Sequence, residues 1–241
     1  LTKTDLVDIL EHANVQHLNT YAHRADILCA LFAKSNHCVR TDHRKKTADI
    51  YPFPIEGHSI VLTDSRVPRI IAREELTARL DECVEAYELV KKQPDMPKNM
   101  MHLTEKMLEE IDIPESVRRR VTYIIRESLS VDEAVDALKR KDNIMLSRIL
   151  NRSHDGLRDR FEISCPELDW LVKRSLEFME PSVTNLVCSR MTGKGFGGCT
   201  YTILKDADAK AYIEKVGDYE RIFGFKPLIY RAKPTGSART F

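Results

Sequence analysis

The residues of this sequence that are best suited to chemistry lie in one glycine-rich segment. In order they are Arg190, Met191, Thr192, Gly193, Lys194, Gly195, Phe196, Gly197, Gly198, Cys199 and Thr200. Glycine permits positive φ and lacks the Cβ that would keep a ligand away from the backbone. Neighbouring N–H groups in such a loop can form a nest for an anion, and Arg190 and Lys194 add positive charge. The segment therefore predicts a site for phosphate or another anionic oxygen group.

The same glycines also suit a tight connection between two strands that binds no ligand. Residues 183–189 and 199–204 are predicted strands, so the segment joins a strand to a strand. It is therefore not the dinucleotide-binding turn, which leads from a strand into a helix, and it lacks the spacing of a P-loop. The residue types alone leave the ligand site and the plain turn both open.

The composition is that of an ordinary globular chain with balanced charge. Of 241 residues, 42% are hydrophobic, which is enough for a sizeable core. The 38 basic and 37 acidic side chains nearly cancel, so no nucleic-acid partner is expected. No apolar run approaches the roughly 18 residues of a membrane helix, and no secretory leader is visible. We therefore expect a cytoplasmic protein without a membrane partner, and the start at Leu1 suggests a shortened N-terminus.

Other polar residues are assigned structural roles. The cysteines form no CxxC pair and are predicted to be reduced core thiols; they are Cys29, Cys38, Cys83, Cys165, Cys188 and Cys199. The histidines of the first quarter lack the spacing of metal ligands, so no metal site is predicted. The basic runs at 43–46 and 118–120 are interpreted as solvated faces.

The pattern of apolar residues predicts a mixed α+β fold. Helices are expected at 4–33 with a break near 20–25, and then at 73–92, 103–111, 114–129, 143–158, 166–179 and 206–223. Ser130 is expected to cap a separate helix. Short runs at 38–41, 48–53 and 59–63 predict an antiparallel meander of three strands. The last third, ending with a strand at 227–231, predicts a split βαβ sheet with helices on one face.

Several segments resemble the GHMP small-molecule kinases, in their galactokinase form. Residues 189–200 resemble the third motif of that superfamily, and 153–169 resemble the galactokinase stretch ahead of it. The Asp-Glu-Cys at 81–83 and the tail at 235–239 are similar to further family segments. The resemblance implies a ferredoxin-like GHMP C-terminal domain at 58–241, preceded at 1–57 by a remnant of the N-terminal kinase domain.

The resemblance also implies an activity and roles for individual residues. Galactokinases are transferases of galactose metabolism that pass the γ-phosphoryl group of ATP to a sugar 1-hydroxyl with Mg²⁺. Asp26 matches the catalytic carboxylate, Arg79 matches a family arginine that would be a supporting cation, and residues 193–198 would lie near the nucleotide phosphates. ATP and Mg²⁺ would be held mainly by the N-terminal part of the family fold. The expected partners are therefore a sugar, ATP and that N-terminal part.

Departures from the family pattern leave a second interpretation open. The segment around Asp26 reads AHRADI at 22–27 and lacks the family's glycine and glutamine, so Asp26 also fits an ordinary solvated or helix-capping acid. Leu76 stands where galactokinases carry a sugar-contacting tyrosine, and leucine has no hydroxyl to donate. The family's N-terminal sugar and phosphate motifs are not in the sequence. We therefore expect a C-terminal fragment that is inactive alone, with a non-catalytic ligand sensor or regulator as the alternative.

Overall fold

The chain folds into two compact units. The structure is a computed structural model that describes residues 1–17, 24–43, 45–93, 97, 102–179 and 186–238. Unit 1 holds Leu1–Ile55, Leu138–Lys141 and Lys233–Phe241, and unit 2 holds Glu56–Ala137 and Asp142–Ala232. The assignment of 1–57 and 58–241 to two family domains stays a prediction.

Unit 1 combines helices with a small sheet. Its elements are α1 (Lys3–Gln16), α2 (Arg24–Phe32), β1 (His37–Asp42) and β2 (Thr47–Pro52). A capping box starts α1, because the Thr2 hydroxyl accepts from the Asp5 N–H and the Asp5 carboxylate accepts from the Thr2 N–H. Arg24 of α2 pairs with Glu11 of α1 at 2.8 Å. Most of the predicted helix break lies outside the described residues.

The helices of unit 2 follow the apolar spacing with two exceptions. They are α3 (Ala72–Lys91), α4 (Glu105–Glu109), α5 (Glu115–Arg140), α6 (Asn143–Asp159), α7 (Pro166–Leu176), α8 (Asp206–Val216) and α9 (Asp218–Phe223). The predicted cap at Ser130 is wrong, because α5 runs through it without a glycine or proline to stop it. The predicted helix at 206–223 is interrupted at Gly217, which separates α8 from α9.

One antiparallel sheet forms the other half of unit 2. It contains β3 (His58–Asp64), β4 (Cys188–Met191), β5 (Cys199–Lys205) and β6 (Leu228–Ala232), in the order β4-β5-β3-β6. Each neighbouring pair is antiparallel, so β5 separates the parallel pair β3 and β4, and β3 separates the parallel pair β5 and β6. This arrangement confirms the α+β class and the split βαβ sheet.

The predicted three-stranded meander is wrong. Only β1 and β2 pair with each other, whereas β3 lies between β5 and β6. Val61 of β3 is fully buried in a cluster with Leu204 of β5 and Tyr212 of α8. The pairing of β3 is therefore set by burial against residues that are distant in sequence. It is not set by the neighbouring strands in the chain.

A second apolar cluster, the helical core of unit 2, lies among α3 to α7. Its buried members are Cys83, Ala86, Val90, Leu103, Leu108, Ile111, Ile113, Val121, Tyr123, Ile125, Leu157, Phe161, Ile163, Leu168 and Met191. All six cysteines are free thiols, but Cys29 is exposed, so the core-thiol prediction is wrong there. Within the described ranges, no helix has the length and apolar composition that a membrane crossing requires.

Candidate functional site

The glycine-rich segment forms the loop of a β-hairpin in unit 2. This glycine loop, residues 192–198, leads from β4 into β5 and is closed by a hydrogen bond from the Thr192 N–H to the Cys199 carbonyl at 2.9 Å. Its four glycines and Phe196 all have positive φ, between 55° and 130°. The backbone therefore requires the conformational freedom that the sequence indicated.

Two of the glycines are also required by close packing. A Cβ on Gly195 would lie 2.1 Å from the carbonyl oxygen of Ile163, and one on Gly197 would lie 2.6 Å from that of Val67. Phe196 fixes the tip of the loop, since its N–H donates to the Ile163 carbonyl at 2.7 Å and its ring packs against the helical core. The interpretation as a tightly packed turn therefore describes part of what this loop does.

The remaining backbone donors of the loop are unused. The N–H groups of Gly193, Lys194, Gly195, Gly197 and Gly198 donate to no residue that the structure describes. The donors of Thr192 and Phe196, in contrast, complete the hairpin and its support. A run of unpaired N–H groups on a backbone with positive φ is what an anion nest requires.

Arg69, which sequence reasoning missed, lies against this loop. Its Nε donates to the Gly197 carbonyl at 3.2 Å and its Nη2 to the Thr192 carbonyl at 3.5 Å. A Cβ on Gly198 would lie 1.7 Å from the guanidinium, so the glycine makes room for the arginine. The only signal in the sequence is that Arg69 follows β3, whose place beside β5 the sequence did not reveal.

Two cations, Arg69 and Lys194, lie at the glycine loop, and Asp64 of β3 lies beside its end at Cys199. Neither Arg69 nor Lys194 forms an ion pair with any carboxylate of the described residues. Lys194 therefore remains available to an anion, and Arg69 does so through the part of its guanidinium that bonds to neither carbonyl. Arg190 does not contribute as predicted, because its Nε donates to the Ser153 hydroxyl at 2.8 Å and its Nη2 lies 3.4 Å from Glu127.

Buried His154 of α6 supports the start of the loop. Its Nδ1 accepts a hydrogen bond from the Met191 N–H at 3.4 Å, and its Nε2 lies 3.3 Å from Asp169 of α7. The Ser164 hydroxyl donates to the same carboxylate at 2.5 Å. These residues fall in the segments 153–159 and 164–169 that carry the resemblance, and their role is to fix β4 where the loop begins.

Arg79 of α3 contacts the glycine loop at Phe196. Its Nε donates to the Glu162 carbonyl at 3.1 Å, its Nη1 pairs with Glu75 at 2.6 Å, and its Cζ lies 5.2 Å from the centre of the Phe196 ring. The structure thus brings two of the predicted site residues, Arg79 and Phe196, together. The role of Arg79 as a supporting cation stays a prediction.

Asp26 and Leu76 are placed as follows. Asp26 lies exposed in the first turn of α2 in unit 1, where the N-terminal helix dipole favours its charge, and it bonds to no described residue. Leu76 on α3 of unit 2 packs against the helical core. The catalytic role of Asp26 therefore stays a prediction. Leu76 offers a ligand only apolar contact.

The basic run at 118–120 is a solvated face only at Arg119, which is exposed. Arg118 donates to the Leu108 carbonyl, and to the Ile111 carbonyl at 2.9 Å. Arg119 and Arg120 pair with Glu162 at 2.8 and 2.7 Å, and Arg120 is only 8% exposed. Arg118 and Arg120 are internal ties. In the other basic run, Arg44 lies outside the described residues.

The described residues fit a phosphate better than a metal ion. The glycine loop offers unpaired donors and two unpaired cations, whereas no three His, Cys, Asp or Glu side chains in the described ranges converge as metal ligands do. We therefore assign no magnesium site to these residues.

Comparisons with known proteins place this hairpin within a family domain. Residues 134–220 match the family model of the C-terminal domain of GHMP kinases. A provisionally named galactokinase of Treponema pallidum (strain Nichols) is 62% identical over 239 residues, which are 99% of this chain and 60% of that protein. The galactokinase of Thermotoga maritima is 30% identical over 95% of this chain and 62% of its own length.

The fold is also that of a solved galactokinase. The crystal structure of the Lactococcus lactis galactokinase complexed with galactose superposes with a TM-score of 0.87 at 21% identity, over 98% of this chain and 61% of that one. The chain thus spans about 60% of the length of the relatives it matches. Together these matches show that the chain is similar to galactokinases over nearly its whole length and that residues 134–220 match the C-terminal domain of GHMP kinases.

Proposed function

We propose that the protein is an ATP-dependent sugar kinase of the galactokinase type. In this reaction the sugar 1-hydroxyl oxygen forms a bond to the γ-phosphorus of ATP, the bond from that phosphorus to the bridging oxygen breaks, and ADP leaves. Such a transfer depends mainly on positioning and on neutralising the phosphate charge. Mg²⁺ would contribute charge neutralisation from ligands outside the described residues.

The observation that carries this proposal is the charge and hydrogen-bonding state of the glycine loop. The unpaired N–H groups of Gly193, Lys194 and Gly198, which are not buried, lie with Arg69 and Lys194 on one cationic part of the loop, whereas Gly195 and Gly197 are buried. A nest of this kind supports phosphate binding, because charge-assisted hydrogen bonds to an anionic oxygen are stronger than neutral ones. We assign the loop to the phosphates of ATP.

Asp26 is proposed to act on the hydroxyl of the sugar. A carboxylate can orient the hydroxyl and take up its proton as the new O–P bond forms. The similarity of the chain to named galactokinases supports this role, and the exposure of Asp26 leaves its carboxylate accessible. The 241-residue chain by itself is proposed to be inactive, because the nucleotide would be held mainly by the N-terminal part of the family fold. A cytoplasmic location is proposed with this activity.

The test is a kinase assay on the product of the complete open reading frame. ATP consumption would be measured with a panel of sugars, in wild type and in Asp26→Ala, with Asp49→Ala on β2 as the matched exposed carboxylate of unit 1. The proposal expects turnover of one sugar that Asp26→Ala abolishes and Asp49→Ala retains. Full activity of Asp26→Ala would contradict the assignment of the carboxylate.

Leu76 favours a second candidate, a non-catalytic ligand sensor or regulator. Its side chain packs against the helical core and supplies no hydroxyl where galactokinases place a sugar-contacting one. Binding of ATP or of a sugar without turnover, measured by calorimetry on the same complete protein, would support this candidate over the kinase.

A further inference from the structure

Glu162 stands at an unusual point between α6 and α7 of unit 2. Its φ is +59°, in the left-handed region that residues with a side chain rarely occupy. Its carbonyl accepts from Arg79 of α3 at 3.1 Å. Its carboxylate accepts from Arg119 at 2.8 Å and from Arg120 at 2.7 Å, both on α5. Cations from two other helices thus hold this one residue in a strained conformation.

The residue after Glu162 supports the glycine loop. The Ile163 carbonyl accepts the Phe196 N–H at 2.7 Å, and Gly195 packs so closely that a Cβ there would lie 2.1 Å from the same oxygen. Arg79, which binds the Glu162 carbonyl, also lies under the Phe196 ring. The direction of the Ile163 carbonyl depends on the backbone of Glu162, so the position of the loop tip depends on it too.

Both arginines at Glu162 direct their guanidinium groups to carboxylates. Arg120 is 8% exposed and shares its guanidinium between Glu162 and Glu82. Only the Arg120 partner is buried, whereas Arg119 and part of Glu162 are exposed, so these pairs contribute little stability and a positional role remains as their effect. The Arg120 hydrogen bond, the first of several causes, holds the pKa of Glu162 below its usual range, so the carboxylate stays ionised at neutral pH.

We infer that Glu162 is a positioning residue for the glycine loop, held by Arg119 and Arg120 so that Ile163 sets the loop tip through Phe196. The hydrogen bonds and ion pairs of Glu162 go to Arg79, Arg119 and Arg120, so it acts on the loop through its neighbour Ile163. This inference rests on the proposed function for its catalytic meaning, but the positioning itself is a property of the 241-residue chain.

The test is amide hydrogen exchange, followed by mass spectrometry, on the full 241-residue chain. Glu162→Gln keeps the shape of the side chain and removes its charge. Within the peptide covering 191–198, exchange of the Phe196 N–H, which the Ile163 carbonyl accepts in the wild type, should rise about tenfold, the effect of losing one charge-assisted hydrogen bond at Glu162. Glu105→Gln, which removes an exposed pair with Arg126 on the same helix α5, should leave that peptide at the wild-type rate.

Two further variants keep the inference open to refutation. Glu162→Gly relieves the positive φ while removing the carboxylate, and it should free the loop as much as Glu162→Gln does. Arg119→Gln removes only the more exposed ion pair of Glu162. If Glu162→Gln does not fold, the exchange of the loop in Arg119→Gln is the test. Wild-type exchange at 191–198 in a folded Glu162 or Arg119 variant, or an equal rise in Glu105→Gln, would overturn the inference.

Kinetics on the complete open reading frame separate this inference from the proposed function. If loop exchange rises and the KM for ATP rises with it while kcat changes little, both stand. If loop exchange rises but the KM for ATP stays at the wild-type value, the positioning stands and the assignment of the loop to phosphates fails.

Discussion

Two cationic regions of unit 2 use the same charge in opposite ways. The arginines at 118–120 are all bound to internal carbonyls or carboxylates. Arg69 and Lys194 at the glycine loop face no carboxylate partner among the described residues, and the donors around them are unpaired. Arg118 and Arg69 both donate to carbonyl oxygens, so hydrogen bonding alone does not separate the two regions. The loop differs because its cations form no ion pair with a described carboxylate and lie beside unpaired N–H groups, which favours an anionic ligand.

The largest loss of stability is expected when the close packing of the glycine loop is disturbed. Gly195→Ala would put a methyl group 2.1 Å from the Ile163 carbonyl at a φ of +79°, and we expect a loss of about 3 kcal/mol in the free energy of unfolding. Gly57→Ala has a similar φ of +70° with open space around it, so it should lose only about 1 kcal/mol. Urea denaturation of both variants measures the difference, and equal losses would refute the close packing.

Breaking the ion pairs of the arginines at 118–120 should lower the free energy of unfolding somewhat less than Gly195→Ala does. Arg120→Gln leaves Glu82 and Glu162 without their shared partner, and we expect a loss of about 2 kcal/mol after allowing for the partial exposure of both acids. Arg126→Gln removes an exposed pair with Glu105 and should cost about 0.5 kcal/mol or less. Thermal unfolding compares the two. A comparable loss in both would mean that burial does not distinguish these pairs.

Neutralising the loop cations should change stability only a little and affect the ligand instead. Lys194→Gln should alter the free energy of unfolding by about 0.5 kcal/mol or less. Arg69→Gln also loses hydrogen bonds to two loop carbonyls and should cost about 1 kcal/mol. Each variant should raise the KM for ATP of the complete protein about tenfold, as expected for one lost charge-assisted bond. Lys210→Gln, an exposed lysine on α8, is the control and should change neither quantity. A normal KM in both loop variants would argue against phosphate binding there.

The smallest effect is the dependence of stability on pH. Because the Arg120 hydrogen bond lowers the pKa of Glu162 from its usual 4.5, the pair contributes fully above about pH 5 and is lost as the pH falls through the lowered value. Glu162→Gln cannot titrate, so its difference in melting temperature from wild type should shrink between pH 7 and pH 3. A difference that stays constant would show that ionisation of Glu162 does not contribute.

The sequence predicted well what is decided locally. The positive φ of the loop glycines follows from their identity, and the proline at the start of α7 predicted that helix. The partner of β3 was missed, because the short apolar run at 59–63 fits a meander as well as a central strand. Arg69 was missed with it, and Arg120 looked like part of a solvated face because Glu162 and Glu82 are distant in sequence. These features depend on long-range contacts that spacing along the chain does not encode.

The most direct test of the account is the response of the glycine loop to nucleotide. Amide hydrogen exchange would be followed on the complete protein with and without MgATP, under conditions in which calorimetry shows that the nucleotide is bound. If the loop holds the phosphates, exchange at residues 193–198 should become slower, with little change at the edge strand β6. Unchanged exchange at 193–198 in the nucleotide-bound protein would contradict the claim that this loop holds the phosphates.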